Sequence, residues 1–319
     1  MTSKKDSCLV TGGAGFIGSH LVDALVKKGF KVRVLDNLST GKLDNLKQVR
    51  GKVEFVKGDI RRQADCRKAV RGMDYVFHFA ANRAVLRSVD DPEDTNATNV
   101  TGTLNILLAA RDAKVKRVVS TSSSSVYGDA KTYPLKETEI PRPLSPYAAS
   151  KIMGEYYCKL FSNLYGLETV SLRYFNVFGP RQNPESVYSA VIPIFIDCLV
   201  KRRSPEIHWD GKQSRDFTYV DNIVHGNLQA MQVKGISGEV FNIACQEEYS
   251  VLDIFNGLKK IMGVKGVKPV FKPKRAGDVR RTYADTSKAR KQLGFKKQTQ
   301  FYEGLEKTVA WFLNERNSL

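Results

Sequence analysis

Tyr147 and Lys151 lie four residues apart in the stretch Ser145-Pro146-Tyr147-Ala148-Ala149-Ser150-Lys151. At that spacing two side chains share one face of a helix and can enter a single cleft. The apolar periodicity that continues to about Tyr165 predicts such a helix. A free phenol titrates near 10, so a tyrosine acting as a base near neutrality needs roughly 4 kcal/mol of stabilisation of its phenolate. An ammonium on the same face supplies part of it. The pattern also arises by chance on protein surfaces, so its meaning depends on what accompanies it.

Gly12, Gly15 and Gly18 form a GxxGxxG loop in Thr11-Gly12-Gly13-Ala14-Gly15-Phe16-Ile17-Gly18, directly after a β-branched run and directly before an amphipathic one. Missing side chains let backbone amides approach a diphosphate at the positive end of a helix. Asp36 ends the next strand-like run, eighteen residues beyond Gly18. A carboxylate there can bind the adenosine ribose hydroxyls and repels a 2′-phosphate, which favours NAD over NADP. Read separately, each glycine is a tight turn and Asp36 a solvated loop acid. Strand, loop, helix and acid in register point to a dinucleotide.

These groups need a sheet to hold them. Cys8 to Thr11, Val32 to Leu35, Val53 to Val56, Tyr75 to Phe79 and Val118 to Thr121 read as strands, with helical patterns between them. Continuous apolar strands alternating with helices predict a doubly wound parallel α/β sheet. Past about residue 180 proline and glycine punctuate shorter elements, which predicts a smaller carboxy-terminal lobe. The expected division is a dinucleotide domain over 1–180, with return strands near 216–245 such as Val240 to Ile243, and a mainly substrate-binding lobe over 181–319.

The 319 residues carry a formal charge of +18 and are 42% hydrophobic, which excludes a disordered or fibrous chain. No apolar run reaches the roughly 18 residues of a membrane span. From the polar start Met1 to Asp6 no signal peptide is expected. Five scattered cysteines without a CxxC pair fit a reducing compartment and give no metal site, so a cytoplasmic protein is expected. The basic charge is spread from Lys4 to Lys307, so polynucleotide binding is not expected as the main role.

Taken together the residues resemble the extended short-chain dehydrogenase/reductase family, specifically its nucleotide-sugar 4-epimerases of the UDP-glucose/UDP-N-acetylglucosamine type. The marks are Thr11 to Gly18, Asp59-Ile60, His78-Phe79-Ala80-Ala81, Ser122 to Gly128, Tyr147 with Lys151, Arg173-Tyr174-Phe175-Asn176, Arg215-Asp216-Phe217 and Arg275-Ala276-Gly277-Asp278. The resemblance implies a Rossmann-type fold and NAD as cofactor. It implies that Phe16, Ile17, Asn37, Tyr174 and Lys151 join the glycines and Asp36 in holding that cofactor, that Asp59 and Ile60 flank its adenine, and that Ala80 and Ala81 line its channel. Tyr147 would be the base and Ser123 would share the sugar hydroxyl, beside Ser124. Asn176, Arg215 and Arg275 would grip the substrate diphosphate, with Asp278 and Thr282 nearby. One departure is Trp209-Asp210-Gly211, where relatives carry Gly-Asp-Gly, so an indole stands on the side expected for uridine.

Three further expectations come from the resemblance. Related dehydratases and decarboxylases carry acidic residues in the strand-end segment where this chain has Ser124 and Ser125, so C4 epimerisation is favoured over those reactions and over a non-catalytic NAD sensor. Thr282 aligns with the position beside the sugar's C2 substituent, where a small residue leaves room for an N-acetyl group. A homodimer is expected through a four-helix interface, built from a helix beginning near Pro92 (Val100, Leu104, Leu107, Leu108) and the one after Tyr147 (Tyr156, Tyr157, Leu160, Leu164).

Overall fold

The structure is a computed structural model that describes residues 5–182, 191–274 and 279–317. In the first half, strands β1 (Ser7–Thr11), β2 (Lys31–Asp36), β3 (Val53–Lys57), β4 (Tyr75–His78), β5 (Arg117–Ser123) and β6 (Glu168–Tyr174) alternate with helices. These are α1 (Phe16–Lys27), α2 (Gln63–Val70), α3 (Val85–Asp90), α4 (Pro92–Asn96), α5 (Gly102–Asp112) and α6 (Pro146–Tyr165). The second half holds β7 (Val177–Phe178), α7 (Val191–Val200), β8 (Glu206–His208), β9 (Ser214–Asp216), β10 (Thr218–Tyr219), α8 (Val220–Gln232) and β11 (Glu239–Ile243). After them come β12 (Glu248–Ser250), α9 (Val251–Ile261), β13 (Val270–Lys272), β14 (Arg281–Thr282) and α10 (Phe301–Asn317).

Seven strands make one parallel sheet in the order β11-β6-β5-β4-β1-β2-β3. From β1 the chain winds outward through β2 and β3, then crosses back to β4 on the other side of β1. That reversal opens a crevice at the carboxyl ends of β1 and β4, where open α/β sheets bind ligands. Leu21, Val22 and Leu25 of α1 and Ile223 and Leu228 of α8 cover one face of the sheet. Cys66, Ala69, Ile106, Ala110 and Phe161, from α2, α5 and α6, cover the other. The expected return strand is β11, which pairs with β6, so the second half of the chain completes the sheet begun by the first.

A separate core of Phe178, Phe195, Phe217, Tyr219, Phe255 and Phe301 unites the carboxy-terminal elements. Small sheets lie around it, β10-β7, β12-β9-β14 and β13-β8.

One detail differs from the sequence reading. The helix expected from near Pro92 is broken into α4, a π-helical turn at Ala97–Thr101, and α5. Leu107, 1% exposed, lies in the core on the sheet side, with Leu104 and Leu108 partly buried against the same cluster. Among the described residues no helix is long and apolar enough to cross a membrane.

Candidate active site

The glycine loop closes on itself where β1 meets α1. Gly12 takes φ +68°, and a β-carbon on it would sit 2.8 Å from the Ala80 amide nitrogen; one on Gly18 would sit 2.3 Å from the Gly12 carbonyl oxygen. Only hydrogen fits at either position, which leaves the amino end of α1 bare for an anion. Asp36 is buried, accepting from Ala14 N at 2.9 Å and Leu38 N at 2.8 Å, and burial pushes its carboxyl above the usual range. Asp36 therefore shapes the loop while bordering the crevice.

A cleft of about 540 Å³ runs from these residues to Tyr147 and Lys151. Gly12, Gly15, Phe16, Ile17, Gly18, Asp36, Asn37, Ala80, Ala81, Tyr147, Lys151 and Tyr174 all line it. A bare helix terminus at its middle, an acid at one end and a phenol with an amine at the other fit an NAD molecule.

Helix α6 is fixed at its start by the Ser145 side chain, which accepts from Ala148 N at 3.2 Å, with Pro146 at its first position. It is stopped by Gly166 at φ +67°. Tyr147, Lys151 and Glu155 then fall on one face, as their four-residue spacing requires. The Ser123 side chain stands beside the Tyr147 phenol. Burial pushes this phenol above its ordinary value, while Ser123 and the Arg83 charge pull it down. Burial holds the Lys151 amine down at about 8, opposed by the Glu155 carboxylate. Lys151 Nζ donates to Thr121 O at 3.2 Å. Behind it, Glu155 pairs with Arg173 at 2.7 Å, both side chains about 5% exposed or less, and accepts from Ser122 Oγ.

A buried relay ties the two ends of the cleft together. Thr103 Oγ1 donates to Asn99 O at 2.6 Å, so His78 Nε2 must be the donor in its 3.0 Å contact with Thr103. His78 Nδ1 then accepts from Thr11 Oγ1 at 2.8 Å, and burial holds the ring neutral, down at about 3. Asn99 in the π-helical turn donates to Asn82 O and Ser150 Oγ, and Ser150 Oγ donates to Tyr147 O at 2.8 Å. The strand before the glycine loop is thus connected to the backbone of Tyr147.

A second cavity of about 270 Å³ is lined by Asn176, Phe178, His208, Gln213, Arg215 and Phe217, among others. Arg215 and Thr282 are register partners of β9 and β14. Asn176, at φ +32°, donates from Nδ2 to Thr282 Oγ1 at 3.1 Å. Asp216 binds these segments from inside, accepting from Cys245 N, Gln246 N and Ala284 N, and burial pushes its carboxyl up to about 7.

Most residues expected from the sequence therefore face one of the two cavities. Asp59 and Ile60 stand behind the wall: Asp59 receives Asn37 Nδ2 at 3.1 Å and is held down at about 2 by Arg61, whereas Ile60 packs in the core beneath Gly102. Ser124 begins a 3₁₀ turn capped by Ser123. Arg275 and Asp278 lie outside the described residues. Arg83, Thr121, Arg181 and Gln182 line the first cleft without having been assigned a role from sequence. Arg83 sits two residues after the Ala80-Ala81 mark, a usable signal, whereas Arg181 and Gln182 follow a Gly-Pro turn that carries none.

Residues 8–244 match the model of the NAD dependent epimerase/dehydratase family. The chain is 42% identical over 312 residues to a putative UDP-glucose 4-epimerase of Methanocaldococcus jannaschii, covering 97% of this chain and 99% of that one. Among solved structures it is similar to a UDP-glucose 4-epimerase of Thermotoga maritima bound to UDP-glucose, at 39% identity, TM-score 0.92 and coverage of 97% and 99%. It is also similar to a UDP-N-acetylglucosamine 4-epimerase of Methanobrevibacter ruminantium in complex with UDP-N-acetylmuramic acid, at 40% identity, TM-score 0.93 and coverage of 98% and 99%. With this likeness spanning the fold, the glycine cradle and the tyrosine–lysine helix alike, the chain belongs to the NAD-dependent epimerase/dehydratase family and groups within it with the nucleotide-sugar 4-epimerases.

Proposed function

We propose that the chain interconverts UDP-hexoses at C4 through a transient 4-keto sugar, taking UDP-N-acetylglucosamine and UDP-N-acetylgalactosamine alongside UDP-glucose and UDP-galactose. The observation that carries this reading is the Tyr147 phenol in the cleft with Lys151 on the same helical face and Ser123 beside it, and with no unpaired carboxylate among the described residues at that end. Glu155 is committed to Arg173, and the cleft's Asp36, Asp44 and Glu315 belong to its cofactor-loop end. Elimination of water from the sugar needs acid and base groups beyond the tyrosine, which this wall does not offer.

In this mechanism Tyr147 takes the 4-hydroxyl proton, Ser123 holds the same oxygen, and Lys151 offsets the phenolate charge. Bound NAD supplies the hydride acceptor at C4 and the donor that restores it. The proton returns to the substrate, so the cycle needs no net proton exchange with solvent. Asn176 and Arg215 anchor the diphosphate in the second cavity, where guanidinium and carboxamide donors suit phosphate oxygens. Purified protein given either sugar nucleotide without added reductant should yield a product of unchanged mass. A loss of water would refute the reading.

Thr282 sets the substrate range in this account. It is 9% exposed, bonded to Asn176 and paired in register with Arg215, both of which line the second cavity, so a phenol in its place would crowd that cavity. Overpacking of this kind costs about 1–3 kcal/mol, or roughly 10- to 200-fold in relative rate. Thr282→Tyr should lower kcat/KM for the acetylated pair by that factor relative to the plain pair. An unchanged ratio would detach Thr282 from specificity.

The enzyme is further proposed to act as a homodimer. Met153, Tyr156, Leu160 and Leu164 form one helical stripe on α6, from 40% to 67% exposed, and Leu86 and Val89 of α3 are 50% and 59% exposed. A contiguous apolar face of this kind marks an association surface. Leu160→Lys should shift the solution mass at micromolar concentration from two chains to one; a monomeric wild type would overturn the assignment.

A further inference from the structure

Arg181 follows Gly179 and Pro180 on the turn that leaves β7, and its backbone takes φ +66°. A non-glycine residue rarely adopts that left-handed conformation without a local demand for it. Two bonds fasten the turn onto α1. His20 Nε2 meets Pro180 O at 3.0 Å, and Arg181 Nη2 pairs with Asp23 Oδ2 at 2.6 Å. The Arg181 side chain is only 10% exposed, yet its other terminal nitrogen, Nη1, is buried with no hydrogen-bond partner. Asp23 does not satisfy it, since the pair is single-pronged and Asp23 Oδ1 is itself unmet. The same side chain borders the cofactor cleft together with Gly15, Phe16 and Gln182, beside the amino end of α1.

A guanidinium with one arm fixed and one arm unmet is oriented for an incoming acceptor, and buried donors are seldom left unpaired in a working state. The acceptor that the neighbouring helix terminus suits is a phosphate oxygen. We propose that Arg181 binds the diphosphate of the dinucleotide, with Asp23 holding the guanidinium in place. Because Arg181 lies on the turn that continues from Asn176 and Val177, the cofactor would then be gripped by the same segment that contributes to the substrate cavity. The proposal rests on the cofactor site described above.

The test titrates the full chain, freed of nucleotide, with ADP-ribose and separately with UDP, and follows NAD release from the protein as purified. Arg181→Met should weaken ADP-ribose binding tenfold or more and speed NAD release similarly, while UDP affinity stays within twofold. Arg181→Gln, which keeps a donor without the charge, should fall between. Asp23→Asn should weaken ADP-ribose binding less than Arg181→Met, because the cation remains. Near-wild-type ADP-ribose affinity in a folded Arg181→Met or Arg181→Gln protein would overturn the proposal. An equal loss for UDP would assign Arg181 to the substrate instead, and an equal loss in Asp23→Asn would reduce it to a structural tie. A wild-type chain that bound no ADP-ribose would remove the cofactor site itself, a separate failure.

Discussion

Tyr147→Phe is expected to lower kcat by at least a hundredfold while NAD remains bound. The substitution deletes one oxygen and leaves the ring's place intact, because the backbone there is held independently of the phenol: Tyr147 N donates to Ser88 Oγ at 3.1 Å and Tyr147 O accepts from Ser150 Oγ. General-base groups contribute about 10²- to 10⁴-fold, which sets the expected size. Retained turnover above about a tenth of wild type would exclude the phenol as the base. The partner residue gives the same site a pH signature. With the Lys151 ammonium held down at about 8, raising the pH through that value removes the positive charge that stabilises the phenolate, so kcat should decline on the alkaline side. Lys151→Ala should abolish this limb together with most of the activity, and a profile unchanged by that substitution would show that the amine plays no electrostatic part.

Much of this site was legible in the sequence because its parts are local. A glycine loop, an acid one strand later and a tyrosine–lysine pair at helical spacing each declare their geometry within a few residues. Strands β1, β2, β4 and β5 were legible because, mostly buried, they read as apolar runs, whereas the edge strand β3 is only half-buried and was legible from Val53, Phe55 and Val56. Strand β6 was not. Its residues Glu168–Tyr174 alternate with polar Ser171 and Arg173, and both are buried, 2% and 3% exposed. Arg173 survives there only because Glu155, eighteen residues earlier in the chain and on another element, neutralises it. Pairing at a distance also hid the broken helix. Nothing in Ala97–Thr101 announces a π turn, which places the Asn99 side chain against Asn82 and Ser150. Arg181 is the same case, since its orientation depends on Asp23 and His20 from α1.

That dependence on a distant partner makes Glu155→Gln the substitution with the largest expected effect on stability. Glu155 and Arg173 are 5% and 4% exposed, joined at 2.8 and 2.7 Å, and Arg173 Nη1 already lacks a partner. Neutralising the carboxylate leaves a guanidinium charge in the interior with only the face of the Tyr127 ring, 4.8 Å away, beside it, and breaking a buried pair from one side costs about 3–5 kcal/mol. Removing both charges together avoids that penalty, so Glu155→Met with Arg173→Met should be less destabilising than Glu155→Gln alone. The carboxylate is also the charge that raises the Lys151 amine against its burial. Its loss should move the alkaline limb of kcat to lower pH, since a lower amine pKa means the ammonium is lost earlier as pH rises. Denaturant unfolding and a pH profile on the same variant read the two effects separately. A buried pair that served packing alone would shift the unfolding midpoint and leave the limb in place, whereas the arrangement of Tyr147, Lys151 and Glu155 on one face of α6 requires both to move.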